Sequence, residues 1–204
     1  MACPSLVEVI LREGLSEIGH HAFEESALNG LHIPSTVSSI GEPGPLPFPT
    51  EVSVAAGNPG YMSVDGVLFT ADGGELILYP AARDGRSHTV PEGTGVVAPF
   101  AFTASRSLES VILPDSLVRI SDGAFERCTS LESVVIPDSV ETIGESAFWQ
   151  CLSLESVVSG GSVTGIGNEM NPVEVTVRSE SEYGFLDGSG GEYTTFVYIP
   201  LRFL

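Results

Sequence analysis

The apolar residues of this chain recur in one pattern with a period of 23 residues. The segments Leu108 to Ser130 and Leu131 to Ser153 align without gaps and are identical at 12 of 23 positions. A third copy opens at Leu154, and N-terminal copies start at Leu6 and Leu28. A period of this size indicates stacked units, because one unit cannot bury its own apolar face. The pattern therefore predicts a repeat solenoid.

Each copy predicts a short strand, a corner, a return path and a second corner. In the copy that starts at Leu131, Val134 and Ile136 alternate with their neighbours, which is the period of a strand. The segment Pro137 to Ser139 turns the chain, and Gly144 permits the second corner. Residues 145 to 151 place Ala, Phe and Cys at helical spacing, which predicts a short helical or 3₁₀ turn.

The equivalent phenylalanines of successive copies predict a stacked column in the core. Phe102, Phe125 and Phe148 occupy the same place in neighbouring copies, and Phe23 occupies it near the N-terminus. Because the copies stack about 4.8 Å apart, we expect these rings to form one buried column, with Phe23 filling the equivalent place at the other end.

The repeat L-x-x-V-x-I-P-x-S-V-x-x-I-G-x-x-A-F-x-x-C-x-S resembles the BspA-type leucine-rich repeat, a class of 23 residues. The resemblance covers residues 6 to 170 and implies a right-handed superhelix of short parallel β-strands with short helical or 3₁₀ turns. It also implies a surface or secreted parent protein that binds other macromolecules. The chain departs from the pattern at Arg12 and Glu13, at 42–49, and in the third copy, which lacks Phe and Cys.

An insertion interrupts the repeats at about residues 55–80. Asp65-Gly66 is a dipeptide favoured in two-residue type I′ hairpin turns, and Asp72 to Gly74 offers a second turn. The segments 57–69 and 76–80 look like the hairpin insertion common in the same family. We expect a three-stranded meander laid on the solenoid. The solenoid itself should then survive replacement of residues 56 to 79 by a short linker.

The repeat pattern divides the chain into two regions. Residues 1–171 are expected to form the solenoid with its inserted meander. Residues 172–204 are expected to hold an irregular strand at Val173 to Val177, a Gly/Ser-rich loop and an apolar segment at Thr194 to Leu204. That last segment either caps the stack or marks a boundary, since solenoids need capped ends. The first copy begins inside a repeat, so we expect a fragment of a longer protein.

The charge of the chain excludes some partners. There are 27 acidic residues and 8 basic ones, all arginine, for a net charge of −19. Such a chain repels nucleic acid and anionic membrane surfaces. No apolar run reaches the roughly 18 residues of a membrane span, and no signal peptide is visible. A surface or secreted location is thus suggested by the family resemblance alone.

The sequence predicts no metal, no cofactor and no catalytic site. Cys128 and Cys151 share one repeat position, and because equivalent side chains of a ladder point in parallel, we expect reduced core thiols rather than a disulfide. The pair His20-His21 either binds a metal or lies in solvent, and the variable repeat position favours solvent. His32 and His88 also fall at variable strand positions. Motifs of nucleophilic or phosphate-binding enzymes are missing from the sequence.

The outward positions of the main strands form the candidate protein-binding strip. Alternation places one aliphatic residue of each copy outward, beside a serine and next to a glutamate. A contiguous apolar stripe marks an interaction site, and the acidic edge would steer a basic partner or weakly collect Ca²⁺. The members are Ile112, Val135 and Val158, with Ser110, Ser133 and Ser156, and Glu109, Glu132 and Glu155.

Three classes of function remain open for this chain. The sequence favours a non-catalytic module that binds another protein, of the cell-surface or adhesion type, with a basic or extracellular partner. The alternative is a structural spacer in a larger surface protein, in which the serine and glutamate ladders merely solvate the strands. An enzyme would need convergent titratable groups in a pocket, and the sequence offers none.

Overall fold

The fold is a β-solenoid with two parallel ladders. The computed structural model describes residues 5–20, 22–23, 26–41, 50–159, 162–166, 174–178 and 194–197. These residues contain the following strands: β1 Glu17–Ile18, β2 Leu31–Ile33, β3 Ser39–Ile40, β4 Val52–Val54, β5 Tyr61–Val64, β6 Val67–Thr70, β7 Glu75–Leu78, β8 Ser87–Thr89, β9 Val96–Val97, β10 Ser110–Ile112, β11 Arg119–Ile120, β12 Ser133–Ile136, β13 Thr142–Ile143, β14 Ser156–Ser159, β15 Gly165–Ile166, β16 Glu174–Arg178 and β17 Thr194–Val197.

The first face of the solenoid is a ladder of the longer strands. In its six-stranded sheet, β8, β10, β12, β14 and β16 pair in parallel, and β17 pairs antiparallel to β16. The register places Val111 opposite both His88 and Val134, which are equivalent repeat positions. Strands β2 and β4 form a separate two-stranded sheet nearer the N-terminus. The predicted solenoid is confirmed.

The second face carries the meander as part of its ladder. Strands β5, β6 and β7 are antiparallel, and β7 then pairs in parallel with β9, through Leu76 opposite Val97. Strands β11, β13 and β15 continue the same sheet. The predicted three strands are confirmed, as is the tight turn at Asp65-Gly66, where φ is 48° and 76°. The expectation that the meander is laid on the solenoid is wrong, because β7 is a rung of the sheet.

The second corner of each repeat is a chain of tight turns, and the described residues contain no helix. The N–H of Ala124 and Glu126 donates to the carbonyl three residues back, as in a 3₁₀ turn. The intervening N–H groups of Phe125 and Arg127 instead donate to Ala147 and Trp149 in the next repeat, at 2.8 and 2.7 Å. A helix would keep both sets within one corner. The corners are therefore single turns of the 3₁₀ type, one of the two predicted forms, rather than α-helix, and they form a hydrogen-bonded ladder of their own.

Left-handed residues make this alternation of N–H directions possible. Two positions have positive φ in each of three described corners, 100–104, 123–127 and 146–150, and they include Arg127 at 60° and Gln150 at 58°. For a residue with a side chain this conformation is uncommon and costs free energy. The hydrogen bonds to the next repeat offset that cost, so the corners are stable only when they are stacked.

The predicted aromatic column is confirmed and gains a fourth ring. Phe102 and Phe125 stack with ring centroids 4.8 Å apart, and Phe125 and Phe148 with centroids 5.3 Å apart. All three are fully buried. Tyr79, at the end of the meander, stacks on Phe102 at 4.9 Å and donates its backbone N–H to Ala101. The insertion thus contributes Tyr79 as the aromatic ring that precedes Phe102 in the column.

The core has two parts that the meander joins. The larger cluster runs from the meander through the C-terminal repeats, and the smaller one fills the N-terminal repeats. Phe69 and Leu76 belong to the larger cluster, whereas Leu68 and Leu78 belong to the smaller one. Phe23 is only partly buried and packs on the smaller cluster, so it fills the equivalent place without reaching the stacked column.

Candidate protein-binding face

The outward side of the first face presents exposed aliphatic side chains. Alternation along β10 and β12 turns Val111 and Val134 into the core, where both are buried. It turns Ile112 and Val135 outward, with 62% and 68% of their surface exposed. These two residues are direct neighbours in the parallel register. The structure therefore brings together two of the three aliphatic residues of the strip.

The serines and the third rung follow the same register. Ser110 lies opposite Ser133, which lies opposite Ser156, and Val135 lies opposite Val158. The strand β14 is described, whereas the side chains of Ser156 and Val158 lie outside the described residues. The strip is consequently defined by side chains on two rungs and by backbone register on the third.

The acidic edge of the strip is partly neutralised within the chain. The guanidinium of Arg86 lies 2.7 Å from the carboxylate of Glu109 on the next rung. The backbone N–H of Glu132 donates to Glu109, and that of Glu155 to Glu132, so the three glutamates follow one ladder. Both Glu132 and Glu155 are exposed, and neither has an ion pair with a described residue. The Arg86–Glu109 ion pair shows that a guanidinium can bind to a glutamate of this edge.

His88 is placed differently from the sequence expectation. Its register partner is the buried Val111, so its ring faces the core rather than a variable outward position, and that expectation is wrong. The imidazole packs on Tyr79 and Phe102 with centroids 5.0 and 6.0 Å apart. Its Nε2 is buried and has no hydrogen-bond partner among the described residues. Burial, together with the charge of Arg83, lowers the pKa of His88 to about 4, against a smaller opposing effect of Asp65.

Replacing His88 by the residue of the next repeats should remove a pH dependence. The pKa of His88 is 6.5 when unfolded and about 4 when folded, so the unfolded chain binds the proton more tightly. Stability is then full above pH 6.5 and falls as the pH drops toward 4. Because the ring is only partly buried, we expect His88→Val to recover about 1–2 kcal/mol at pH 4 relative to the parent. Urea denaturation between pH 7 and 4 measures this. His32→Val, on an exposed imidazole, is the control, and parallel pH curves for His88→Val and the parent would contradict the burial.

His32 is exposed as predicted, and its surroundings reveal a residue that was missed. Its Nδ1 lies 2.9 Å from Ser53 Oγ on the neighbouring strand β4. Aligning the copy at Leu6 with the copy at Leu108 places Ile10 at the position of Ile112. Ile10 is 73% exposed and lies at the N-terminal end of the same face. The repeat position itself indicates this residue, so exposed aliphatic side chains occur near the N-terminal end of the face as well as on β10 and β12.

Two of the three cysteines lie in the core, and Cys3 lies outside the described residues. Cys128 and Cys151 are buried free thiols, which confirms the prediction of reduced core cysteines. Each Sγ donates to a carbonyl of the preceding repeat at 3.0 Å, Cys128 to Phe102 and Cys151 to Phe125. Burial and the neighbouring Cys151 raise the pKa of Cys128, so the thiol form is retained.

Metal-ligating groups do not converge in the described part of the chain. There, no three His, Cys, Asp or Glu side chains are placed to bind one metal ion. His20 is exposed and makes contacts of its own, whereas His21 lies outside the described residues. The same described residues contain no helix that is long and apolar enough to cross a bilayer.

Solved structures of bacterial repeat proteins share this fold. A leucine-rich repeat protein of Eubacterium ventriosum matches 76% of the chain at 24% identity with a TM-score of 0.71. The pneumococcal vaccine antigen PcpA matches 82% of the chain at 26% identity with a TM-score of 0.64. A leucine rich cell surface protein of Faecalibacterium prausnitzii matches 80% of the chain at 27% identity with a TM-score of 0.62. The chain spans about half the length of these proteins, namely 42%, 49% and 54%.

The repeat is also matched at the level of sequence families. Among curated proteins, none matches the chain. The family model of the BspA type leucine rich repeat region matches six copies, over residues 1–43 and 86–171. The unmatched interval between them contains the meander, which interrupts the period. Since the matched residues make up more than half of the sequence and the ladders follow the same repeat, this chain belongs to the BspA-type leucine-rich repeat family.

Proposed function

We propose that this chain is a non-catalytic module of a surface protein and that it binds another protein through the outward side of its first face. The observation that carries the proposal is the pair Ile112 and Val135, two exposed aliphatic side chains in direct register. Covering an exposed apolar side chain with a partner lowers the free energy of the system. A face that only solvates its strands does not require two such side chains in contact.

The charges beside this pair favour a partner that is basic. Glu132 and Glu155 are exposed along the edge of the strip, and the net charge of the chain is −19. Complementary charge raises the association rate and makes it sensitive to salt, while apolar contact supplies most of the affinity. The pairing of Arg86 with Glu109 supports the choice of an arginine-bearing or lysine-bearing partner.

The comparisons support a location on the cell surface. One of the matched structures is a cell surface protein, and another is a vaccine antigen. Both are longer than this chain, so the module would be one part of a larger protein. A repeat wall of parallel strands offers a broad, rigid surface, which suits adhesion to a macromolecule better than the binding of a small molecule.

Two substitutions on the strip should weaken partner binding without unfolding the chain. Ile112→Asp with Val135→Asp places two carboxylates on exposed positions, so the thermal midpoint should change little, whereas binding should weaken at least about tenfold. The measurement uses a surface protein captured by the parent at low salt, identified and purified, with its dissociation constant determined for each variant. Ile112→Thr with Val135→Thr keeps the β-branched shape and is the matched control for the added charge. If the folded double variant still binds every captured partner with parental affinity, the site lies elsewhere.

A further inference from the structure

The N-terminal end of the first face contains a groove that the strip does not include. Its floor is Gly30, which precedes β2, and its walls come from residues 7–11 on one side and from 51–53 on the other. The groove lies between β2 and residues 7–11, which form no strand, and Gly30 stands in it where other repeats have an outward side chain, as at Ser110 and Ser133. A Cβ placed on Gly30 would contact nothing closer than Glu51, at 3.9 Å. The absent side chain therefore leaves open space on the face.

The groove is acidic on two sides. Glu8 and Glu51 hold the repeat position of Gly30 in the preceding and following rungs, so they flank the open space. Glu51 follows Gly30 directly in the parallel register of β2 and β4, whereas Glu8 belongs to residues 7–11, which form no strand. Both carboxylate side chains line the same groove, so both are available to one group that enters it. Both side chains are exposed, and neither forms an ion pair with a described residue.

The rest of the groove offers an apolar wall and two polar side chains. Ile10 is 73% exposed and lines the side nearest the N-terminus. His32 and Ser53 line the opposite part and are already bonded to each other at 2.9 Å. This combination matches a long cationic side chain whose aliphatic stem packs on an apolar wall while its head meets carboxylates.

We infer that this groove receives an arginine side chain from an extended segment of a partner protein. A guanidinium has five donors in a planar fork, so it can bond to Glu8 and Glu51 together, whereas an ammonium is a compact point charge. Its stem would cover Ile10, which otherwise stays in water. The inference rests on the proposed function only in that the partner is a protein, and it does not depend on Ile112 or Val135.

The test uses a fluorescein-labelled peptide that alternates valine and arginine, with the full chain. The matched probe replaces each arginine by citrulline, which has the same shape and no charge. We expect the arginine peptide to bind at least about tenfold more tightly at low salt. In ¹⁵N spectra it should shift the amide signals of Gly30, His32 and Ser53. Equal binding of the two peptides, or no binding of either, would overturn the inference.

Variants of the groove locate the peptide. Gly30→Leu fills the floor and should weaken binding at least about tenfold, whereas Gly30→Ala should bind as the parent does. Glu8→Gln with Glu51→Gln keeps the shape of both exposed side chains, so it should fold and lose the preference for arginine over citrulline. Ile112→Asp with Val135→Asp should leave peptide binding unchanged. If peptide binding survives Gly30→Leu but is lost in Ile112→Asp with Val135→Asp, the peptide binds to the strip, and the inference about the groove is wrong.

Discussion

Phe125→Ala should lower the free energy of unfolding by about 3–5 kcal/mol. The ring is fully buried and stacks on both sides, on Phe102 at 4.8 Å and on Phe148 at 5.3 Å. Removing it leaves a cavity that two hydrogen-bonded rungs cannot close, and the adjacent rings lose their stacking partner. Urea denaturation followed by circular dichroism gives the change in free energy.

Two comparisons make the result specific to the column. Phe125→Leu retains most of the apolar volume, so it should cost about 1–2 kcal/mol. Phe23→Ala removes a ring that is only partly buried and unstacked, and it should cost less than Phe125→Ala. A loss below about 1 kcal/mol for Phe125→Ala would mean that the register of the repeats is misplaced.

Deleting residues 56 to 79 should abolish cooperative folding of the whole chain. The deleted segment holds Phe69 and Leu76 of one core cluster and Leu68 and Leu78 of the other. It also removes the hydrogen bond from the N–H of Val52 to the Gly66 carbonyl, which joins β4 to the hairpin. The exposed ends of both clusters would then face water, at a cost of several kcal/mol.

The deletion needs a control within the meander. Asp65→Asn preserves a turn dipeptide that adopts positive φ at both residues, so its melting temperature should stay near that of the parent. A deletion variant with a sharp thermal transition and the parental circular dichroism of the repeats would contradict the placement of the meander in the core. That result would mean that the meander is attached to the solenoid without being part of its core.

Local chemistry explains what the sequence predicted well. The period of 23 residues fixes which side chains are stacked, so the phenylalanine column and the paired thiols follow directly. Alternation along a strand fixes the two faces, which is why Ile112 and Val135 point outward. The turn at Asp65-Gly66 depends on two residues only.

Non-local pairing explains what the sequence predicted poorly. The place of β7 in the sheet depends on a partner, β9, only two residues long, which leaves no periodic signal. The corner residues have helical spacing, but their N–H groups bond to the next repeat, and a single copy cannot reveal that. The inward orientation of His88 does not follow from its copy, which retains few repeat residues, and only the pairing with Val111 shows it.

The near-identical rungs of β10 and β12 have a consequence for the gene. Each rung contacts the next through the same register, Val111 with Val134 and Val134 with Val157. Unequal recombination between two such copies adds or removes a whole unit, and the new junction repeats an interface that already exists. Natural variation in length therefore need not create new packing, and each duplicated unit would lengthen the exposed aliphatic row by one side chain. Selection can thus change the length of this exposed aliphatic row in steps of one repeat.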